Sequence, residues 1–105
     1  MVETIWFVYL LECRGQKIYT GVTPCLEERM KKHARGTGAR FTKINPPERL
    51  LGFRPFPSKR EAMQVESAIK RVSKPQKEAM ASLWRQQYPL DQIAEKLPAL
   101  IQNID

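Results

Sequence analysis

Two short runs near the start of the chain, joined by one glycine-bearing turn, constrain its fold more than any other feature. Ile5-Trp6-Phe7-Val8-Tyr9-Leu10-Leu11 is dense in β-branched and aromatic residues and reads as a strand. Arg14-Gly15-Gln16 reads as a turn, and Lys17 to Val22 resumes as a second strand, making a β-hairpin. The turn length then decides which side chains share a face, because strand residues alternate. A two-residue turn at Arg14-Gly15 would pair Leu10 with Tyr19 and put Tyr9 and Tyr19 on opposite faces. A three-residue turn, Arg14 to Gln16, pairs Cys13 with Lys17 and Leu11 with Tyr19, leaving Tyr9 diagonal to Tyr19 on one face. A five-residue turn sets the two tyrosines directly opposite. Only an odd loop lets both phenols serve one site, and three residues with Gly15 helping the turn is the simplest.

The rest of the chain reads as helices around one more strand. Thr23 is placed to cap a helix and Pro24 to occupy its first position. Glu27 and Glu28 lie in its first turns and Lys31, Lys32 and Arg35 near its end, as the helix dipole prefers, with Gly36 as the stop. A basic, glycine-rich loop follows over Gly36–Lys43. Arg49–Phe53 is expected as a third strand despite a weak pattern. Ser58-Lys59-Arg60-Glu61 is a capping box. It opens a helix to about Val72, with Ala62, Val65, Ile69 and Val72 on its apolar stripe. A further helix starts at Pro75 and ends near Tyr88-Pro89, and a last short helix covers about Leu90 to Leu97. The order β-β-α-β-α-α predicts a compact α+β domain, a small three-stranded antiparallel sheet flanked by helices.

The 105 residues suit one domain, taken as residues 4–87 with a C-terminal helical extension, 88–105, packed on it. No run of eighteen apolar residues is present, so no membrane span is expected. Met1-Val2-Glu3-Thr4 lacks the basic start of a signal peptide. Cys13 and Cys25 form no paired motif and there is one histidine, so no zinc site is expected; the simple reading is a free-thiol, cytoplasmic protein.

Charge gives the first functional direction. Eighteen Lys and Arg oppose eleven Asp and Glu, a net +7. Residues 1–87 hold seventeen of the basic groups and eight of the acidic ones, whereas 88–105 is slightly acidic. A basic body points to a polyanionic partner, most often nucleic acid, although charge also serves solubility.

Arg29 and His33 stand four apart and share a helical face, beside the apolar stripe marked by Leu26 and Met30. Arg29 can there present its fork of N–H donors to a phosphate; the alternative is an ion pair with Glu28 or Glu48. Glu66 falls inside the apolar stripe of its helix, where a charge needs a partner. One such partner is Mg²⁺ or Mn²⁺, which takes one or two protein carboxylates and completes its shell with water and substrate phosphate. The other is Lys70, four residues on.

With Phe7-Val8-Tyr9 and Tyr19-Thr20-Gly21 the chain resembles the GIY-YIG nuclease superfamily, over roughly residues 4–80. Spacing, hairpin context, the following helix, Arg29 and Glu66 all match that pattern. Phe7 stands where the name motif has Gly, and Thr20 where it has Ile. The resemblance is to small stand-alone bacterial members, and it implies a metal-dependent endonuclease acting on DNA, in repair or recombination. It implies that Tyr19, acting through Tyr9 or His33, helps deprotonate a water, that Arg29 stabilises phosphate charge, and that one metal ion on Glu66 stabilises the leaving oxygen. His33 is expected either to assist proton transfer or to bind the phosphate; a solvated helix-end histidine is the other reading. A tyrosine, with an ordinary pKa of about 10, needs a neighbouring cation to act as a base. Product 5′-phosphates are expected by resemblance alone.

Lys31, Lys32, Arg35, Arg40, Lys43 and Lys70 are the expected DNA contacts; RNA is not ruled out as a partner. Such groups meet phosphates rather than base edges, which favours structure-selective or weakly specific cutting. Phe41 either stacks on an unpaired base or anchors its loop, and Trp6 and Trp84 read as core. Two other functions compete: a nucleic-acid-binding module with the fold but little activity, and a small interaction protein whose C-terminal helices dock a partner.

Overall fold

The computed structural model describes residues 4–102. Met1-Val2-Glu3, used above to read the N-terminus, and the last three residues of the 88–105 extension lie outside the described residues.

The two apolar runs form β1 (Trp6–Cys13) and β2 (Lys17–Thr23). Arg14–Gln16 is the three-residue turn between them, with Gly15 at φ 79° and Gln16 at φ 60°. Cys13 pairs with Lys17, Leu11 with Tyr19 and Tyr9 with Gly21. The odd loop therefore sets Tyr9 and Tyr19 on one face. The third strand, β3 (Pro47–Phe56), is twice the length the pattern suggested and joins the sheet in the order β2-β1-β3. Pro47 and Pro55 disguise it in the sequence, but β3 is an edge strand, where a missing N–H costs no ladder bond. Register shifts opposite Leu10/Leu11 and Glu12/Cys13 bend it.

The first helix, α1 (Leu26–Ala34), begins later than expected. Thr23 stays in the ladder opposite Phe7. Its hydroxyl accepts the Cys25 N–H at 3.1 Å, so it closes a turn and cannot open the helix. The stop at Gly36 is as expected: with φ 75°, its N–H reaches the His33 carbonyl and the Thr37 N–H the Lys32 carbonyl. The loop expected at 36–43 contains a short helix, α2 (Arg40–Ile44), too brief to leave any periodicity in the sequence.

The Ser58 hydroxyl caps α3 (Lys59–Ile69) by accepting the Glu61 N–H at 3.2 Å. The helix ends three residues before Val72. Ser73 and Gln76 cap α4 (Lys74–Gln87) reciprocally. The helix expected over Leu90–Leu97 is instead two single 3₁₀ turns, Leu90–Gln92 and Ala94–Lys96, broken at Ile93. Leu90, Leu97 and Ile101 each turn inward, and the Ile101 carbonyl accepts the Leu50 N–H at 3.2 Å.

Strand alternation divides the core in two. Tyr9, Leu11, Cys13, Leu50 and Phe53 pack with Leu26 and Met30 of α1 and with Leu90, Leu97 and Ile101. Val8, Leu10, Leu51 and Phe56 pack with Ala62 and Ile69 of α3 and Ala81 and Trp84 of α4. Trp84 is buried and Trp6 packs beside the second cluster. Among the described residues, no helix is long and apolar enough to cross a membrane.

Candidate active site

The site forms where β1, β2 and α1 meet. Tyr9 is fully buried on the central strand, and its hydroxyl lies 2.7 Å from His33 Nε2. Arg29 Nε donates to the same hydroxyl at 3.3 Å. The four-residue spacing thus brings Arg29 and His33 to one atom, as the shared helical face requires. Among the described residues Arg29 makes no ion pair with Glu28 or Glu48. Tyr19 lies beside them, half-buried, its ring centroid 6.1 Å from that of Tyr9 and 5.4 Å from that of His33. Phe41 of α2 stacks on the outer side of Tyr19 at 5.7 Å and stays partly exposed. It is thus neither free for a base alone nor a buried anchor.

His33 is completely buried, and both its nitrogens are engaged, Nε2 with Tyr9 and Nδ1 with the Thr42 hydroxyl at 2.9 Å. It is not a solvated helix-end histidine, and no ring nitrogen is free for a phosphate. Burial, with the Arg29 charge beside it, lowers its pKa to about 4. Burial also pushes the Tyr9 phenol above the ordinary tyrosine value; the Tyr19 and Glu66 charges act in the same direction and Arg29 opposes them. Arg29 itself is held above its ordinary value by the hydroxyls of Tyr9 and Tyr19, against the effect of its own burial.

Two glycines make this packing possible. A Cβ on Gly21 would strike the hydroxyl end of the Tyr9 side chain, 2.5 Å from Cζ, and come 2.9 Å from Tyr19 Cε2, and one on Gly38 would come 2.6 Å from His33 Nδ1. Gly38 and Thr42 belong to the site by contact alone. Neither stands in a periodic pattern, and sequence reasoning passed over both.

A model of the GIY-YIG catalytic domain matches residues 5–79. The chain belongs to the GIY-YIG family. A UPF0213 protein of Cupriavidus pinatubonensis is 47% identical over 81 residues, covering 77% of this chain and 90% of the relative. One from Xanthomonas axonopodis pv. citri is 43% identical over 84 residues, covering 80% and 78%. The solution NMR structure of a UPF0213 protein from Bacillus halodurans superposes with a TM-score of 0.50 at 43% identity, covering 80% of this chain and 89% of that one. The α+β architecture expected from the sequence is therefore that of a solved relative. Membership implies a nuclease with a nucleic-acid substrate.

Arg29 leads from the tyrosines to an open cleft of about 280 Å³ whose walls also include Val22, Thr23, Pro24, Cys25, Glu28 and Lys32. Lys32, which lines it, and Arg35, Arg40 and Lys43 are exposed on α1, its C-terminal turn and α2. Lys31 differs, lying 3.6 Å from both Glu27 and Glu28. Lys70 lies 3.6 Å from Glu66 and is half exposed.

Glu66 sits on α3, which packs against β1 and β2 from the opposite side of the sheet to α1. Its side chain is only 17% exposed, and its charge is felt at Tyr9. The described residues contain no cluster of three His, Cys, Asp or Glu side chains. One largely buried carboxylate suits a hard cation that keeps waters and substrate oxygens, not a closed thiolate or imidazole cage.

Proposed function

We propose that this chain is a metal-dependent endonuclease that hydrolyses DNA phosphodiester bonds with structure selectivity or weak sequence preference. The proposed setting is DNA repair or recombination. The observation that supports it best is the Tyr9 hydroxyl, held between Arg29 and His33 with Tyr19 alongside, while Arg29 also lines an open cleft.

The two tyrosines divide the work by exposure. Tyr9 is sealed from water and its phenol is hard to ionise, so it orients Arg29. Tyr19 is only half-buried and keeps some contact with solvent. In this reading Tyr19 takes the proton of the attacking water. Arg29 offers its remaining N–H groups to the scissile phosphate, where charge grows in the transition state. A divalent ion on Glu66 would supply Lewis-acid stabilisation of the leaving oxygen when bound. Lys32, Arg35, Arg40 and Lys43 hold flanking phosphates.

The Lys70 ammonium beside Glu66 favours a second reading, a nucleic-acid-binding module in which that carboxylate serves only an ion pair. One assay separates them. Wild type and Glu66→Ala are incubated with branched, nicked, flap and linear DNA plus Mg²⁺ or Mn²⁺. The nuclease reading expects metal-dependent cutting by wild type alone. Binding without cutting by either protein supports the module, and equal cutting by both removes Glu66 from the mechanism.

A further inference from the structure

We propose that Thr42 is a positioning residue that holds His33 in its Nδ1–H tautomer and thereby sets the direction of the hydrogen bond at the Tyr9 hydroxyl. The tautomer follows from the hydrogen-bond geometry; its effect on catalysis rests on the nuclease reading above.

The argument is a count of protons. A neutral imidazole carries one N–H, and its other nitrogen can only accept. Consider first the proton on Nδ1. The Nδ1–H donates to Thr42 Oγ1 at 2.9 Å, and the Thr42 hydroxyl donates to the Ala39 carbonyl at 2.9 Å. Nε2 is then free to accept the Tyr9 O–H at 2.7 Å, and the Tyr9 oxygen accepts from Arg29 Nε. Every proton in the chain of contacts ends on an acceptor.

Now place the proton on Nε2. His33 and Arg29 both donate to the Tyr9 oxygen, and the phenol proton finds no acceptor among the described residues. Thr42 must also turn its hydroxyl away from Ala39 to serve Nδ1. Tyr9 is fully buried, so the orphaned proton would lose its hydration with no partner to replace it. The Nδ1–H form is therefore selected, and the low basicity of the buried ring keeps it singly protonated.

Local structure carries Thr42 to that place. The Ala39 N–H donates to Thr42 Oγ1 at 3.3 Å and the Thr42 N–H to the Ala39 carbonyl at 3.1 Å, closing the first turn of α2. Gly38 lets this turn pass against the imidazole where any side chain would strike it. Arg29 depends on the result, since a reversed bond would point the phenol proton at its guanidinium. Thr42 thus reaches Arg29 through two intervening side chains and touches no reacting atom.

His33 is the one histidine of the chain, so its ring gives a single pair of ¹⁵N signals. In tag-free, ¹⁵N-histidine-labelled protein, wild type and Thr42→Ser are expected to show Nδ1 protonated and Nε2 bare. Thr42→Val, of the same shape without the hydroxyl, is expected to shift toward Nε2–H. A wild-type ring protonated on Nε2, or an unchanged ring in Thr42→Val, overturns the assignment. If Thr42→Val does not fold, the wild-type and Thr42→Ser spectra still decide it. With cleavable DNA and Mg²⁺, Thr42→Val should lose about tenfold or more in kcat with little change in KM, and Thr42→Ser should restore most of it. A switched tautomer with unchanged kcat overturns the positioning role. A wild-type protein that cuts nothing overturns the nuclease reading while the tautomer result stands.

Discussion

Gly21 lies directly across the hairpin from Tyr9, and no methyl group fits between its backbone and the Tyr9 ring. The third letter of the second motif is thus fixed by packing against the third letter of the first. Gly21→Ala must displace Tyr9 from Arg29 and His33, or splay β2 from β1. Overpacking of this kind costs about 1–3 kcal/mol. Urea denaturation should register that loss together with a fall in DNA cleavage. Unchanged stability and unchanged cutting would show that the ring has room the geometry denies.

The Thr20 hydroxyl is buried without a hydrogen-bond partner among the described residues. By alternation it points away from Tyr19, toward the α3 and α4 side of the sheet. Thr20→Val removes the stranded hydroxyl at nearly constant volume and is expected to stabilise the fold by about 1 kcal/mol. Cleavage should stay at the wild-type rate. A lower urea midpoint in the variant would mean that the hydroxyl has a partner.

Buried His33 makes stability depend on pH. Its pKa falls from 6.5 to about 4 on folding, so between those values the unfolded chain binds the extra proton. The stabilisation is complete above pH 6.5 and is lost as pH falls through 4, a contribution on the order of 3 kcal/mol. His33→Gln should flatten this part of the profile in urea midpoints taken from pH 4 to 7. Parallel profiles for the two proteins would place the imidazole in contact with solvent.

The basic groups of α1 and α2 are not equivalent. Lys31 already faces two carboxylates, whereas Lys32, Arg40 and Lys43 are exposed and make no ion pair among the described residues. Each of Lys32→Ala, Arg40→Ala and Lys43→Ala should reduce the slope of log binding constant against log salt by about 0.7–0.9. Lys31→Ala should change it less. An unaltered slope in all three exposed variants would move the DNA to another face.

Glu66→Gln separates structure from chemistry. Its ion pair with half-exposed Lys70 is worth only about 0.5 kcal/mol, so thermal stability should barely move. Metal-supported cleavage should drop about a hundredfold or more if that carboxylate serves the transition state. A large stability loss with retained cutting would reverse that assignment.

The sequence alone determined what depends on near neighbours. Hairpin parity ties the faces of Tyr9 and Tyr19 to the number of residues in the turn, and three is the simplest count that puts both on one face; the strand pairing supplies that count. The stop at Gly36, the cap at Ser58 and the four-residue spacing of Arg29 and His33 are likewise local, set by backbone hydrogen bonds and helical pitch. The helix start after Thr23 was misplaced because Thr23 answers to its strand partner Phe7 as well as to its neighbours. The tertiary structure decided the remainder. It buried His33 completely, brought Thr42 to its Nδ1 from nine residues away, gave α2 a reason to fold, and carried Glu66 within electrostatic reach of Tyr9 from the other side of the sheet. Those relations join residues that share no helical turn or strand register, so no repeat along the chain records them, and only the packed core sets their distances.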